Sequence, residues 1–251
     1  MMRAIAPCEY KEYEGYAASG TCSAVYPLSV VQGCQSGDIF VNDGTAALVW
    51  HYCGFALVLG EYDDAFLEEV YGLMTEKTNT RRFVLFADDE RMVEFFGSKA
   101  DILTERRSFF EYVHDDSKTV FELPEGYELK EIDSEIISHM KGRITPAFSW
   151  SNTDEFLNKG KGYCVMHGCE PAAWAFSSAV SDKEIDIGVE TNENYRKRGL
   201  AFAAAQMMVR YVLGENKRPV WACHSENIAS AKLAQKLGFE KAYECRTIRI
   251  K

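Results

Sequence analysis

Tyr195-Arg196-Lys197-Arg198-Gly199-Leu200-Ala201 leads directly into Leu200–Leu213, a run whose polar exceptions are Gln206 and Arg210. A helix that is apolar on most sides belongs inside a domain. Its first turn carries backbone N–H groups with no partner in the helix, and the positive end of the helix dipole. Gly199 and Ala201 leave room for a bulky anion to approach that backbone, and three successive cationic side chains add full charge. The stretch reads as a phosphate or pyrophosphate site. The competing reading is a solvated basic turn in front of a core helix.

On the C-terminal side, Pro219–His224 has the pattern of a strand and Ile228–Leu237 that of a helix stopped by Gly238, with Asn227 in the N-cap position. Tyr243–Ile250 reads as a last strand. On the N-terminal side, Gly162–His167, Ala172–Ser178 and Ile185–Val189 read as three strands, with turns at Gly168 to Pro171 and at Ser181-Asp182. Glu135–Lys141 and Thr153–Asn158 read as short helices, and Tyr127–Ile132 as the strand that opens the series. Pro124 and Gly126 break any regular element, so Glu122-Leu123-Pro124-Glu125-Gly126 marks a junction. The expected domains are residues 1–125 and 126–251. Antiparallel hairpins followed by crossover helices predict a mixed α/β fold for the second.

The first half has a similar texture. Ile39–Val41, Ala46–Trp50 and Phe55–Leu59 read as short strands, the first two separated by the turn-forming Asn42-Asp43-Gly44. Asp63 opens a helix with Phe66, Leu67, Val70, Tyr71 and Met74 at helical spacing. Phe83–Phe86 is a strand, Asp88 or Asp89 opens a helix that reaches Gly97, and Arg107–Val113 is a strand. Up to Gly37 no period is clear. Strand, polar turn and helix in Phe83–Gly97 echo the same succession after Val220, which suggests a smaller α/β half related to the second. No second phosphate site is expected in it, because Gly60-Glu61-Tyr62-Asp63-Asp64 is acidic.

The 251 residues carry a net charge of −10, which argues against general nucleic-acid binding. Residues 1–125 hold 22 acidic and 10 basic side chains, a balance of −12, and residues 126–251 a balance of +2. The second half is therefore the better host for an anionic ligand. No run of eighteen apolar residues suggests a membrane span, and Met1–Tyr10 lacks the apolar centre of a signal peptide. Eight cysteines without a C-x-x-C pair read as buried thiols in a reducing cytoplasm. His167 and Cys169 are too few to define a metal site, and no metal is expected.

Arg196-Lys-Arg-Gly199-Leu-Ala201 resembles the Q/R-x-x-G-x-G/A acyl-CoA loop of the GNAT superfamily of N-acetyltransferases. Asn227-Ile-Ala-Ser-Ala-Lys-Leu233-Ala-Gln-Lys236-Leu237-Gly238-Phe239 is similar to that superfamily's N-x-x-A/S-x-x-L-x-x-K-x-G-F helix. The likeness extends from about residue 126 to 251. It implies a GNAT fold there, with the first half a degenerate GNAT-like copy, and acetyl-CoA bound where Ile185–Val189 and Pro219–His224 splay apart. Main chain at Ile187, Gly188 and Val189 would bond to the pantetheine arm. Arg196 and the amides of Arg198, Gly199, Leu200 and Ala201 would hold the pyrophosphate, with Asn227 and Ser230 nearby. Asn227 is equally well explained as a helix cap. Around Trp50-His51-Tyr52-Cys53-Gly54-Phe55 the chain also looks similar to a bacterial GNAT group that includes zwittermicin A resistance proteins, though these aromatics suit a strand core.

The chemistry implied is attack of an amine on a thioester, and an alkylamine must first lose a proton. Strand alternation puts Glu184, Asp186 and Gly188 on one side of Ile185–Val189; the resemblance places Glu184 where many family members carry a carboxylate and Asp186 shares its face, so either is a candidate base, with His224 on the neighbouring strand a third. The tyrosine that many family members carry seven residues after the motif asparagine is replaced by Ala234. Tyr243 and Ser225 are weak substitutes. The expected activity is acetyl transfer to an amine of a small molecule, with no nucleic acid or membrane partner and a homodimer left open. The rivals are a non-catalytic acyl-CoA sensor and a protein or peptide N-acetyltransferase.

Overall fold

The computed structural model describes residues 2–20, 22–42, 45–87, 89–113 and 121–251. In chain order the first half forms β1 (Arg3–Ala4), a 3-10 turn at Pro7–Tyr13, α1 (Glu14–Ala18), α2 (Val25–Val31), β2 (Gly37–Val41), β3 (Ala47–His51), β4 (Phe55–Leu59), α3 (Asp64–Thr75), β5 (Val84–Ala87), α4 (Glu90–Gly97) and β6 (Ile102–Tyr112). The second half forms β7 (Tyr127–Glu131), α5 (Ser134–His139), a 3-10 turn at Pro146–Phe148, α6 (Thr153–Lys159), β8 (Gly162–His167), β9 (Glu170–Val180), β10 (Glu184–Thr191), a 3-10 turn at Glu193–Tyr195, α7 (Leu200–Gly214), β11 (Arg218–His224), α8 (Ile228–Lys236) and β12 (Phe239–Ile250). The expected mixed α/β order is present in both halves. The opening segment, without a period in sequence, folds as short helical pieces. Of the expected hairpin turn, Asp43 and Gly44 lie outside the described residues, as does Asp88; Asp89 is the N-cap of α4.

The chain packs as two compact units. One contains Met1–Ser108 and Tyr243–Lys251, the other Phe109–Ala242. The sequence places a boundary at 125/126, between residues that these units keep together, and it places Tyr243–Lys251 with the half that precedes it. Strands β6 and β12 each have residues in both units. In the first unit the strand order is β1-β2-β3-β4-β5-β12-β6, and in the second it is β7-β8-β9-β10-β11-β6-β12. In each order the last strand of the other half of the sequence is inserted just ahead of the half's own last strand. Next to β5, Ile248 pairs with Leu85 and Thr247 with Phe86, antiparallel. Ile248 is fully buried in a core with Leu48, Phe66, Leu67, Val70, Leu85 and Phe96. A reading of local patterns assigns β12 to the half that precedes it, because nothing in its own residues says which sheet it completes.

Within the first unit, β2, β3 and β4 form an antiparallel meander and β5 lies parallel to β4. Within the second, β8, β9 and β10 form the meander and β11 lies parallel to β10. Helix α7 packs across β8, β9 and β10, and Leu200, Ala203, Ala204, Ala205, Met208, Val209 and Val212 are its buried apolar residues. Such a wide buried face explains why the run from Leu200 is almost uniformly apolar.

One cysteine expectation fails. Cys22 and Cys245 are joined by a disulfide within the first unit, across a sequence separation of 223 residues, while six cysteines stay as thiols. Connectivity at that range cannot be read from spacing. Burial pushes the Cys164 thiol up to about 12, which keeps it protonated and inert.

Candidate active site

Strands β10 and β11 are in register at three positions, Glu184 with Arg218, Ile185 with Pro219 and Asp186 with Val220. Beyond Asp186 the pairing stops, so from Ile187 to Thr191 this edge of β10 has no β11 residue opposite it. On its other edge β10 stays paired with β9 as far as Thr191, with a register shift between Asp186 and Ile187 that leaves Ser178 of β9 unmatched. Ile187, Gly188 and Val189 are therefore the main-chain positions where the two parallel strands part. A Cβ on Gly188 would stand 2.9 Å from the Phe176 ring and 3.2 Å from Ser178 Cβ, so close packing of the sheet explains the glycine.

The loop after β10 is curled by two left-handed residues, Lys197 at φ 62° and Gly199 at φ 79°. For lysine this conformation costs about 1 kcal/mol or more, which only a well-determined loop sustains. Gly199 is the N-cap of α7 and supplies no side-chain cap. The amides of Leu200 and Ala201 open the helix with no acceptor among the described residues. Arg196, Lys197 and Arg198 are exposed around them. Arg198 donates to the hydroxyl of Tyr127 at 2.6 Å, and Tyr127 lies against the His167 ring with centroids 4.8 Å apart. A Cβ on Gly199 would stand 2.5 Å from the ring of Phe121. That residue also donates its amide to Gln206 of α7 at 3.3 Å and packs on Phe202. Gly199 is thus required twice, by its φ and by Phe121.

The candidate bases are set at different depths. Glu184 stands at the closed, paired end of β10, and its carboxylate is ion-paired with Arg218 at 2.5 Å. Asp186 is buried at the last paired position, next to the parting of the strands. His224, half-buried at the end of β11, accepts the Glu226 amide on Nδ1 at 3.3 Å. Its ring hydrogen in the neutral form therefore belongs on Nε2. Asn227 caps α8 by accepting the Ser230 amide at 3.1 Å, and the Ser230 hydroxyl accepts the Trp221 indole N–H at 3.0 Å. Ala234 is fully buried, so that position offers no group to a ligand. Tyr243 belongs to the first unit, where its hydroxyl accepts the Ser23 amide. Among the described residues, no group of three or more His, Cys, Asp or Glu side chains is arranged to hold a metal ion. Nor is any helix among them long and apolar enough to cross a membrane.

Sequence reading overlooked Glu190. It lies on the open stretch of β10 and pairs with Trp174 of β9. Its carboxylate accepts the amide of Ile144 at 2.6 Å, and the Trp174 indole donates to the carbonyl of the same residue at 2.7 Å. The alternation that selects Glu184, Asp186 and Gly188 would have reached Glu190 had it been carried one step further.

The profile of the GNAT acetyltransferase family matches residues 20–248. The match thus includes most of the first half, well beyond the region from 126 in which the motifs lie. An uncharacterized N-acetyltransferase of Bacillus subtilis (strain 168), YdfB, is 27% identical over 223 residues, covering 87% of this chain and 80% of that one. A GCN5-related N-acetyltransferase-like protein from Streptococcus suis 89/1591 has a similar structure, with a TM-score of 0.79 at 21% identity over 98% of this chain and 100% of the other. A tandem GNAT protein from the clavulanic acid biosynthesis pathway superposes with a TM-score of 0.63 at 14% identity, covering 99% and 97%. These two likenesses concern the fold, and the second fits the paired arrangement of two GNAT-like units. With the family profile spanning both halves of the sequence, the chain belongs to the GNAT acetyltransferase family.

Proposed function

We propose that the protein transfers an acetyl group from acetyl-CoA to an amine of a small molecule, and that the second half of the sequence, residues 126–251, carries the acyl-CoA site. The observation that carries this reading is the uncapped start of α7, ringed by Arg196, Lys197 and Arg198, on the loop that follows the parted strand β10. The chemistry of the donor set fits a pyrophosphate: free first-turn amides, a helix dipole and exposed guanidinium groups. Arg196 and the amides of Arg198, Gly199, Leu200 and Ala201 would hold it. The main chain of Ile187, Gly188 and Val189 would bond to the pantetheine. Ser230 and Asn227 stand at the start of α8, where Asn227 keeps its cap. The first half serves as a degenerate copy without a nucleotide site of its own. The setting proposed is cytoplasmic, with six cysteines as thiols and Cys22 bonded to Cys245.

An attacking amine has to lose its proton, and a carboxylate beside the parted strands can take it. The ion pair with Arg218 counts against Glu184. Asp186, one position from the opening, is the better base. His224, with hydrogen on Nε2, suits donation to the departing sulfur. This division of roles compensates for the tyrosine missing at Ala234. The test is calorimetry with CoA, followed by thiol release from acetyl-CoA with a panel of amines. Asp186→Asn should lower kcat by about a hundredfold and remove the acid limb of the pH profile, while CoA affinity is kept. CoA binding without turnover of any amine by the wild type would favour the sensor. No CoA binding would end the reading altogether.

A further inference from the structure

The open stretch of β10 carries more than a ligand edge. Ile144, in the segment between α5 and α6, has its N–H taken by Glu190 and its C=O taken by Trp174. Those two side chains come from registered positions on adjacent strands. Two residues later toward the N-terminus, Gly142 lies so close that a Cβ would run into the Glu190 carboxylate and approach the Trp174 ring to 2.9 Å. Further along the same segment Trp150 donates to the Ser177 carbonyl of β9 at 2.8 Å. The backbone from 142 to 144 is thus laid on the sheet at the level where β11 has left it. If the register that pairs Asp186 with Val220 is continued, Glu190 and His224 stand level on the two diverging strands.

We propose that Glu190 is a positioning residue: by holding the Ile144 amide it fixes residues 142–144 as the acceptor-side wall of the cleft between β10 and β11. The inference rests on the acyl-CoA reading of that cleft. A charge-assisted bond from a backbone N–H to a carboxylate fixes a distance and a direction, which apolar packing alone does not. Placing the carboxylate here sets the distance between the wall and the strand edge, and so the width left for an amine. Gly142 keeps the clamp short, because any side chain there would push the wall off the strand.

Three measurements on the full chain test this. Glu190→Ala removes the acceptor, whereas Glu190→Gln retains an oxygen that can take the same N–H. Hydrogen exchange at the Ile144 amide should accelerate by about tenfold or more in Glu190→Ala and stay near wild type in Glu190→Gln. CoA affinity by calorimetry should change less than about threefold in either, because the pyrophosphate loop is untouched. With acetyl-CoA and spermidine, n-propylamine or free L-amino acids as acceptors, the amine KM should rise about tenfold or more in Glu190→Ala at nearly constant kcat, with Glu190→Gln restoring it. Loss of kcat in both variants together with a lost pH limb would make Glu190 the base itself and overturn the clamp. Unchanged exchange at Ile144 in Glu190→Ala overturns it too, even where no amine of the panel is turned over. Failure of the wild type to bind CoA instead strikes at the acyl-CoA reading, and is read separately from the exchange result.

Discussion

Helices α3 and α7 stand in the same place in their units. Each follows the third strand of an antiparallel meander and precedes a strand parallel to it. Their first turns are opposites. Asp63 caps α3 and accepts the Phe66 amide at 2.9 Å, Asp64 follows, and Arg91 is drawn in to pair with Asp64. One first-turn amide of α3 is thus taken by a carboxylate, and the charges around it are mainly negative. At α7 the cap is Gly199, no side chain accepts, and the surrounding charges are positive. The same scaffold thus carries one helix start capped by a carboxylate and one left uncapped among positive side chains, and what separates them is the residue at the N-cap and its neighbours.

The largest effect should come from giving α7 what α3 has. In the double variant Gly199→Asp with Phe121→Ala, the second change clears the ring that a Cβ would meet, the left-handed φ of 79° still strains the new residue, and its carboxylate puts a negative charge at the first turn. CoA affinity should fall by about a hundredfold or more, while Phe121→Ala alone should stay within about fivefold of wild type. Calorimetry decides, and retained affinity in the double variant would mean that the α7 start is not the anion site.

The units also differ in their response to acid. His51, fully buried in the first, accepts the Cys53 amide on Nδ1, and burial, then the charge of Arg81, lowers its pKa to about 3. An unfolded chain takes up that proton near pH 6.5, so the folded form loses about 1.4 kcal/mol per unit as pH falls from there toward 3, or about 2 kcal/mol at pH 5. In the second unit His139 and His167 are exposed and His224 is half-buried. Between pH 7.5 and 5, hydrogen exchange should show the first unit loosening more than the second. His51→Gln should flatten that difference, and a slope unaltered by the substitution would assign it elsewhere.

Smaller effects refine the open end. Arg196→Ala should weaken CoA about tenfold, less so at high salt, because a screened exposed charge is lost; titration at two ionic strengths reads this. Asn227→Ala should cost about 1 kcal/mol in thermal unfolding through its lost cap, and Asn227→Ser should regain most of it. If Asn227→Ser regains stability but not CoA affinity, the side chain also touches the ligand.

The open helix start was legible in sequence because it is written locally, in Arg196–Ala201 and the apolar run behind it. The Asn227 helix and the two meanders were legible for the same reason. Glu190 was missed because its partner, Ile144, is a backbone 46 residues away in a segment with no motif. The Cys22–Cys245 bond and the destination of β12 escaped for a related cause: both join residues that are distant in sequence, and neither leaves a periodic trace. Glu184 drew attention by the family resemblance and its strand position, and only the register with β11 shows Arg218 beside it.

The exchange of end strands bears on how the chain is made. On the ribosome, the first 108 residues emerge without the strand that lines β5 and without Ile248 for their core. That unit has to wait, with β5 exposed, until Tyr243–Lys251 has left the exit tunnel, whereas the second unit can already draw on Phe109–Tyr112 as its own strands appear. An unpaired strand edge during synthesis invites wrong partners. For the same reason, dividing the gene at the apparent junction near Pro124 would yield two fragments, each lacking a strand held by the other.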